Sequence, residues 1–249
     1  MASITEFLKN LIYLKNDKEY KVFKFLFIKL RFRRPGKHDY TLQPLEIKPE
    51  MKCLIVSPHP DDESFGCGGL LLKYPRQCEV LLLTNGEQGD YRQGAEQTKE
   101  IRRQEFETAM DFAGVSQYSY LNLPDKNVRK HLKKLNSLKT GDYDFIFVPN
   151  ENERHVDHNC LWPHMLKLIS KQKSKARLMG YEVWGTIGIP GYYLDISDIA
   201  AKKLQLTQIY QSQLGHLHYD LRMQALNYYR GLLVDKEYIE VYQHINKNC

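Results

Sequence analysis

The sequence predicts an α/β fold, namely a Rossmann-like, mostly parallel sheet flanked by helices and followed by a C-terminal helical extension. Three observations support this prediction. The chain has 249 residues, enough for one domain with a sizeable core. Short apolar runs alternate with stretches of helical periodicity from residue 53 to residue 183. Beyond Val183 this alternation weakens, and helical patterns follow a glycine-rich loop.

Five short segments rich in aliphatic, β-branched or aromatic residues are predicted to form strands. They are Cys53–Ser57 and residues 79–84, 119–121, 143–148 and 177–183. Because strands that alternate with helices are joined by right-handed crossovers, we expect most of them to lie parallel in one sheet.

Apolar residues at helical spacing predict the helices between and after these strands. The predicted helices span residues 69–73, 96–113, 127–138, 158–171, 199–214 and 217–229. Gly114 follows the second of them, where it can supply a left-handed cap. The last two helices form the predicted C-terminal extension.

An acidic segment with one histidine follows the first predicted strand. Residues 57–63 read SPHPDDE. Ligands of open α/β sheets bind where strands end. A histidine and three carboxylates so close together are costly to fold unless a cation neutralises them. For this segment alone, a metal site and a solvated acidic loop are both open interpretations.

A second cluster, NENERHVDHN at residues 150–159, follows the apolar run 145–148. His158 from this cluster, with His59 and Asp62 from the first, would supply two imidazole nitrogens and one carboxylate oxygen. This set suits Zn²⁺ and leaves a position for water, as catalytic zinc sites do. Fe²⁺ and Co²⁺ accept the same ligands, so another divalent transition metal stays open.

The cysteines and the apolar runs predict the compartment. The five cysteines are an odd number without a C-x-x-C pair or the spacing of a disulfide framework, which is typical of a reducing environment. No apolar run approaches about 18 residues, and the N-terminus lacks the order of a signal peptide. We therefore predict a cytoplasmic protein without a transmembrane helix, either free or peripheral to the inner face of the membrane.

These motifs resemble the PIG-L/LmbE family of zinc-dependent N-acetylglucosamine deacetylases. The resemblance rests on HPDDE followed by GCGG at residues 59–69, and on HVDH at residues 155–158. It extends roughly from Met51 to Tyr242, through TNGEQG at 84–89 and further segments. It divides the chain into a basic amphipathic N-terminal segment, residues 1–50, and a PIG-L/LmbE-like deacetylase domain, residues 51–249.

The resemblance implies that this chain removes the N-acetyl group from a GlcNAc-type sugar or glycoconjugate by attack of a zinc-bound water. It implies that His59, Asp62 and His158 hold the metal. It also implies that Asp61 is the general base and that His155 stabilises the oxyanion. The chemistry agrees, because zinc lowers the pKa of a bound water to about 7. A non-catalytic carbohydrate- or nucleotide-binding domain and an amidohydrolase of another acyl amide stay open as alternatives.

Three further residues are candidates for the site. Asp157 lies next to both histidines of its cluster and is predicted to orient His155 and keep it protonated. Arg102, or its neighbour Arg103, is predicted to meet a sugar hydroxyl or phosphate. Asp125 is predicted to accept hydrogen bonds from sugar hydroxyls. For these last residues an ordinary surface salt bridge is the open alternative.

The net charge of +6 is unevenly distributed. In residues 1–37, lysines and arginines are interleaved with aliphatic and aromatic residues. Such a segment can lie on an anionic membrane, or it can be a helix packed on the domain with a solvated basic face. The predicted partner is an acetylated amino sugar, either free or linked to a lipid or nucleotide. We predict no nucleic-acid partner, and the sequence carries no signal for an oligomeric state.

Overall fold

The sheet of this protein extends on both sides of a central buried strand. The computed structural model describes residues 41–89 and 94–245. In this part of the chain the sheet has eight strands, which cross it in the order β1-β7-β8-β6-β5-β2-β3-β4. They are β1 (Gln43–Pro44), β2 (Cys53–Ser57), β3 (Cys78–Thr84), β4 (Gln117–Leu123), β5 (Phe145–Pro149), β6 (Arg177–Tyr181), β7 (Tyr192–Asp195) and β8 (Ile239–His244).

Most of the strand pairs are parallel, as predicted. β2 pairs in parallel with both β3 and β5, β4 extends the sheet beyond β3, and β6 extends it beyond β5. Only β8 runs antiparallel, to β6 and β7. The chain passes from β2 to β3 and β4, then returns to β5 on the other side of β2. Ligand sites of α/β sheets lie at such a reversal of strand order, outside the carboxyl ends of the strands.

The helices lie between and after the strands, as predicted. They are α1 (Asp62–Lys73), α2 (Ala95–Ala113), α3 (Val128–His131), α4 (Leu161–Lys171), α5 (Ala200–Gln208), α6 (Gln211–Leu214) and α7 (Tyr219–Gly231). The predicted helix at 127–138 is shorter, because a 3-10 helix, Leu132–Ser137, takes over after α3. The predicted helix at 199–214 is divided into α5 and α6.

Helix α1 begins seven residues before the predicted start at residue 69, but it is kinked at Cys67, where φ is −130° and ψ is 16°, and the predicted residues 69–73 lie beyond this kink. The three glycines of this helix have a low helix propensity. Here the glycines are required by close packing: a Cβ atom on Gly66 would lie 2.2 Å from Cδ2 of Tyr181, and one on Gly69 would lie 2.4 Å from Cγ2 of Ile196. Tertiary contacts therefore override local propensity in α1.

Three strands were not predicted, and two of them lie in the C-terminal region. β7 and β8 add to the sheet beside the predicted helices α5 to α7, so the extension is not helical alone. β8 also ties the extension to the core, because the carboxylate of Glu240 accepts hydrogen bonds from the backbone N–H groups of Gly69 (2.6 Å) and Leu70 (3.1 Å).

The sheet separates two large apolar clusters. Cys53 and Ile55 of β2 face the cluster that includes Phe65, Phe106 and residues of α5, whereas Leu54 and Val56 face the cluster formed with α4. This follows from the alternation of side chains along a strand. With both faces covered, β2 is fixed in position, and so is the loop that leaves its carboxyl end.

The predicted basic segment, residues 1–50, falls largely outside the described residues. Its membrane contact and the domain boundary at residue 50 stay predictions. From residue 41 onward, Leu42, Leu45 and Ile47 are buried in the apolar clusters. None of the helices in the described part of the chain combines the length and apolarity needed to cross a bilayer.

Candidate functional site

Three loops at the carboxyl ends of β2, β4 and β5 converge on one cleft. His59 and Asp62 follow β2, and His158 follows β5, 96 residues later in the chain than Asp62. His59 Nδ1 lies 3.1 Å from Asp62 Oδ2 and 3.2 Å from His158 Nε2, and the last two atoms are 3.1 Å apart. All three side chains are buried. We call the three atoms His59 Nδ1, Asp62 Oδ2 and His158 Nε2 the donor triangle.

The donor triangle has the dimensions of a metal site. Ligand atoms about 2.0–2.1 Å from a tetrahedral Zn²⁺ are about 3.3 Å from one another. The observed edges of 3.1–3.2 Å are close to that separation. Two other groups, His59/His155/His158 and His59/Asp125/Asp157, hold their ligand atoms within 4.8 Å of one another. The atoms of the donor triangle all lie within 3.2 Å of one another, and its nitrogen and oxygen ligands fit a divalent transition metal.

The second nitrogen of each triangle histidine faces a carboxylate. His59 Nε2 lies 3.2 Å from Asp125 Oδ1 and 3.4 Å from Asp157 Oδ2. His158 Nδ1 lies 3.3 Å from Glu153 Oε2. Carboxylates in this position fix the ring and its tautomer, so that the other nitrogen is left free to ligate a metal.

Glu153 was not singled out from the sequence, although it lies in the second cluster. It is buried, and its Oε1 accepts the backbone N–H groups of residues 183–185 at 3.0–3.1 Å. Its Oε2 and the Nδ1 of His158 form no hydrogen bond among the described residues, and they face each other at 3.3 Å. Glu153 therefore joins the loop after β6 to a triangle histidine.

The charges of the triangle residues depend on one another. Burial alone would raise the pKa of Asp62, but His158 and His59 outweigh it and hold that pKa well below its usual range. Burial disfavours the charged form of His158, yet Asp62 outweighs burial and raises its pKa to about 9. The pKa of His59 is also held well above its usual value, because the surrounding carboxylates, first that of Asp125, outweigh its burial.

Asp61 stands beside the triangle in a strained conformation. Its φ of 134° is one that non-glycine residues rarely adopt, and it precedes the first residue of α1. Its Oδ2 lies 3.0 Å from Nη2 of Arg102. Burial raises the pKa of Asp61 to about 8 in spite of the Arg102 guanidinium.

Of the two arginines left open by the sequence, Arg102 reaches the site. It is buried, and besides Asp61 it donates hydrogen bonds to the backbone oxygens of Pro60 (2.7 Å) and Gly86 (3.2 Å). Arg103 points away, since it pairs with the half-exposed Glu107 at 3.0 Å. The predicted contact of Arg102 with a sugar stays a prediction.

His155 lines the cleft, and Asp157 lies next to it, with its carboxylate facing His59. The carboxylate of Asp157 accepts the backbone N–H groups of Lys126 (2.7 Å) and Val128 (3.0 Å) and faces His59. Only the backbone N–H of Asp157 contacts His155, at 3.3 Å from Nδ1. Burial, and then the nearby His59 and His158, hold the pKa of His155 below its usual value. The nearby carboxylate of Asp157 opposes this lowering, and the predicted roles of His155 and Asp157 stay predictions.

The cleft over the donor triangle has a volume of about 190 Å³. Asp125 lines it, and its carboxylate accepts the backbone N–H groups of Gln88 (3.0 Å) and Lys126 (2.7 Å). Its predicted hydrogen bonds to sugar hydroxyls stay a prediction. Trp184 and Gln213 complete the wall and were not predicted. Trp184 is 45% exposed and packs against Tyr219 with ring centroids 4.4 Å apart. Trp184 comes from the loop after β6 and Gln213 from helix α6, and local sequence patterns do not bring either together with the motifs.

Comparison with known proteins identifies relatives of this chain. Residues 54–166 match the family described as PIG-L, GlcNAc-PI de-N-acetylase. Over 85 residues the chain is 34% identical to 2′-N-acetylparomamine deacetylase of Streptomyces fradiae, which covers 31% of this chain and 30% of that protein. Over 194 residues it is 26% identical to "Probable N-acetyl-alpha-D-glucosaminyl L-malate deacetylase 2" of Bacillus anthracis, which covers 67% of this chain and 83% of that protein.

Among solved structures, the fold is similar to that of N,N′-diacetylchitobiose deacetylase from Pyrococcus horikoshii, with a TM-score of 0.67 and 20% identity over 93% of this chain and 94% of that one. At this identity the likeness concerns the fold. The segments HPDDE at 59–63 and HVDH at 155–158 both lie within the matched residues 54–166. The predicted resemblance is therefore confirmed, and residues 54–166 of the chain match the PIG-L family.

Proposed function

We propose that this protein is a metal-dependent hydrolase that removes the N-acetyl group from a GlcNAc-type sugar or glycoconjugate. The observation that carries the proposal is the position of Asp61, a buried and strained carboxylate beside a donor triangle in one cleft. A non-catalytic sugar-binding domain has no need of a base in that place. The relatives named above are deacetylases of amino-sugar compounds, which favours an acetamide as the bond that is cleaved.

In this proposal His59 Nδ1, Asp62 Oδ2 and His158 Nε2 hold Zn²⁺. When bound, Zn²⁺ would polarise the acetamide carbonyl and lower the pKa of a water to about 7. Asp125 and Glu153 keep the two imidazoles in the tautomers that present these nitrogens.

Asp61 is the general base in this proposal. It accepts a proton from the attacking water while the hydroxyl oxygen forms its bond to the acetamide carbon. For this step Asp61 must be ionised, and Arg102 at 3.0 Å favours the ionised form. Burial raises the pKa of Asp61 to about 8, and a divalent cation bound nearby would lower it.

His155 acts as a neutral hydrogen-bond donor. Its Nδ1 accepts the N–H of Asp157, which leaves the proton on Nε2 for the carbonyl oxygen as negative charge develops there. A neutral imidazole is not acidic enough to protonate the departing amine, so His155 is not the general acid. Asp61 therefore returns its proton to the amine nitrogen as the carbon–nitrogen bond breaks, and the products are acetate and the free amino sugar.

Acetate release by the zinc-loaded protein tests the proposal. The panel contains free GlcNAc, N,N′-diacetylchitobiose, GlcNAc-malate and GlcNAc-phosphatidylinositol. We expect release from at least one of them, and we expect Asp61→Asn to lower kcat about 10²–10⁴-fold, because it removes the base but keeps the shape of the side chain. Zinc content, measured by atomic absorption, should stay the same.

The matched control is Asp111→Asn, an exposed aspartate on α2. It should leave kcat within about twofold of the wild-type value, since surface substitutions have small effects. Turnover by Asp61→Asn within threefold of wild type, or no acetate from any member of the panel, would contradict the proposed function.

A further inference from the structure

A basic groove lies away from the catalytic cleft, between α4 and the segment formed by α3 and the following 3-10 helix. Its volume is about 370 Å³, and it shares no lining residue with the cleft. We call it the basic groove. Its charged lining consists of Arg129, Lys130, Lys133, Lys167 and Lys171, without a carboxylate. The apolar part is formed by Leu132 and Leu168.

The described part of the chain offers no ion pair that would neutralise the basic groove. None of the ion pairs formed among residues 41–89 and 94–245 involves these five side chains. The two flanking stretches, residues 126–141 and 158–181, together contain eleven lysines and arginines and no aspartate or glutamate. Like charges concentrated in a concave surface raise the local potential and attract anions.

The groove also contains an unsatisfied polar atom. His164 lines it, and the Nε2 of this ring is buried without a hydrogen-bond partner among the described residues. Buried polar atoms normally have a partner, so one supplied by a ligand would complete the site. Asn136 adds a side-chain amide to the same lining.

We propose that the basic groove binds a compact polyanion that carries several phosphate groups, such as a phosphorylated sugar or inositol. Each phosphate brings about −1.5 to −2 charges and three acceptor oxygens, which match closely spaced lysines and an arginine. The volume of about 370 Å³ lies within the range of small-molecule sites, about 300–1,000 Å³. The proposal does not depend on the catalytic function proposed above.

The lining favours a compact ligand over a nucleic acid. Single-stranded nucleic acids are bound through aromatic side chains on which bases stack. The residues that line the groove in the described part of the chain include no Phe, Tyr or Trp. The charges also surround a concave surface. A phosphorylated headgroup can enter this groove, whereas a flat bilayer surface cannot.

The test is calorimetric titration of the zinc-loaded protein with myo-inositol 1,4,5-trisphosphate in 150 mM NaCl. We expect saturable binding, and we expect Lys133→Gln/Lys167→Gln to weaken it at least about tenfold, because two charge-assisted contacts are lost. Lys130→Gln/Lys171→Gln provides a second, independent pair. Both pairs are exposed on the surface, and circular dichroism melting should show unchanged folding.

The matched control is Lys48→Gln/Lys52→Gln, which removes the same charge from two exposed lysines elsewhere. It should change the affinity less than twofold. Equal affinity of wild type and both groove variants would overturn the proposal, because binding would then reflect net charge alone. The absence of saturable binding would overturn it as well. Groove-dependent binding of a single-stranded oligonucleotide, with none of the inositol phosphate, would replace it with a nucleic-acid site.

A second experiment, with lipid vesicles, distinguishes a lipid-borne ligand from a free phosphorylated ligand with the same headgroup. Phosphatidylcholine vesicles with phosphatidylinositol 4,5-bisphosphate present the trisphosphate headgroup on a lipid. Co-sedimentation of wild type that is lost in the groove variants would support a lipid-borne ligand in the groove. Binding of the soluble trisphosphate without vesicle binding would support a free phosphorylated ligand in the same groove.

Discussion

His155 illustrates how a residue's charge decides its role. An imidazolium would stabilise an oxyanion strongly, but the positions of His59 and His158 and the burial of the ring disfavour that form. A metal in the donor triangle would add further positive charge beside the ring. In the proposed mechanism His155 therefore acts as an uncharged donor through its Nε2 proton.

This assignment predicts a difference between two substitutions. His155→Gln keeps a neutral N–H donor and should retain at least about tenfold more kcat than His155→Ala, which should lose about 10²–10³-fold. The measurement is kcat as a function of pH for the wild type and both variants. If His155 worked as a cation, the wild-type kcat would fall as the pH rises through the lowered pKa of His155, and this decrease would be absent in His155→Gln. We expect no such decrease in the wild type.

At the scale of elements, the loop after β5 and the loop after β6 are held together by Glu153. Its Oε1 accepts three backbone N–H groups of residues 183–185, and its Oε2 faces His158. The same carboxylate therefore positions both a triangle histidine and the loop that carries Trp184. This arrangement makes the shape of the cleft wall dependent on the position of His158.

Glu153→Gln should weaken zinc binding about 10–100-fold, because an amide is a poorer acceptor for the Nδ1 proton of His158. The measurement is competition for zinc with a chromophoric chelator. Glu151→Gln, an exposed neighbour in the same loop, is the matched control and should leave the affinity unchanged. A shift of equal size in both variants would mean that Glu153 only supports the loop.

At the scale of the whole molecule, the parallel sheet explains what the sequence could predict. His59, Asp62 and His158 follow two apolar strand segments, and parallel strands present their carboxyl ends at one edge. Their convergence was therefore predictable. Glu153 and Trp184 depend on how loops fold across that edge, and no local pattern records it. β8 was not predicted, because it carries the polar Glu240 and Gln243 among its apolar residues. Its partners β6 and β7 are also distant in the chain.

The molecule should also gain stability from a metal, to an extent that depends on pH. Ligand binding to the folded state stabilises by about 2.7 kcal/mol at a concentration of 100 Kd, which for a chain of this size raises Tm by about 5–11 °C. The triangle imidazoles must lose their protons to ligate. Since His158 has a raised pKa of about 9, protons compete with zinc at neutral pH.

The sign of the pH effect follows from that competition. The charged form of His158 contributes stability to the metal-free protein that is fully present below about pH 6.5, its unfolded pKa, and is lost as the pH rises through about 9. Zinc affinity increases over the same range. The difference in Tm between zinc-loaded and chelator-treated protein should therefore be larger at pH 8 than at pH 6, as measured by scanning calorimetry. Asp62→Ala should abolish the difference at both values, and a zinc effect that is independent of pH would place the ion outside the two imidazoles.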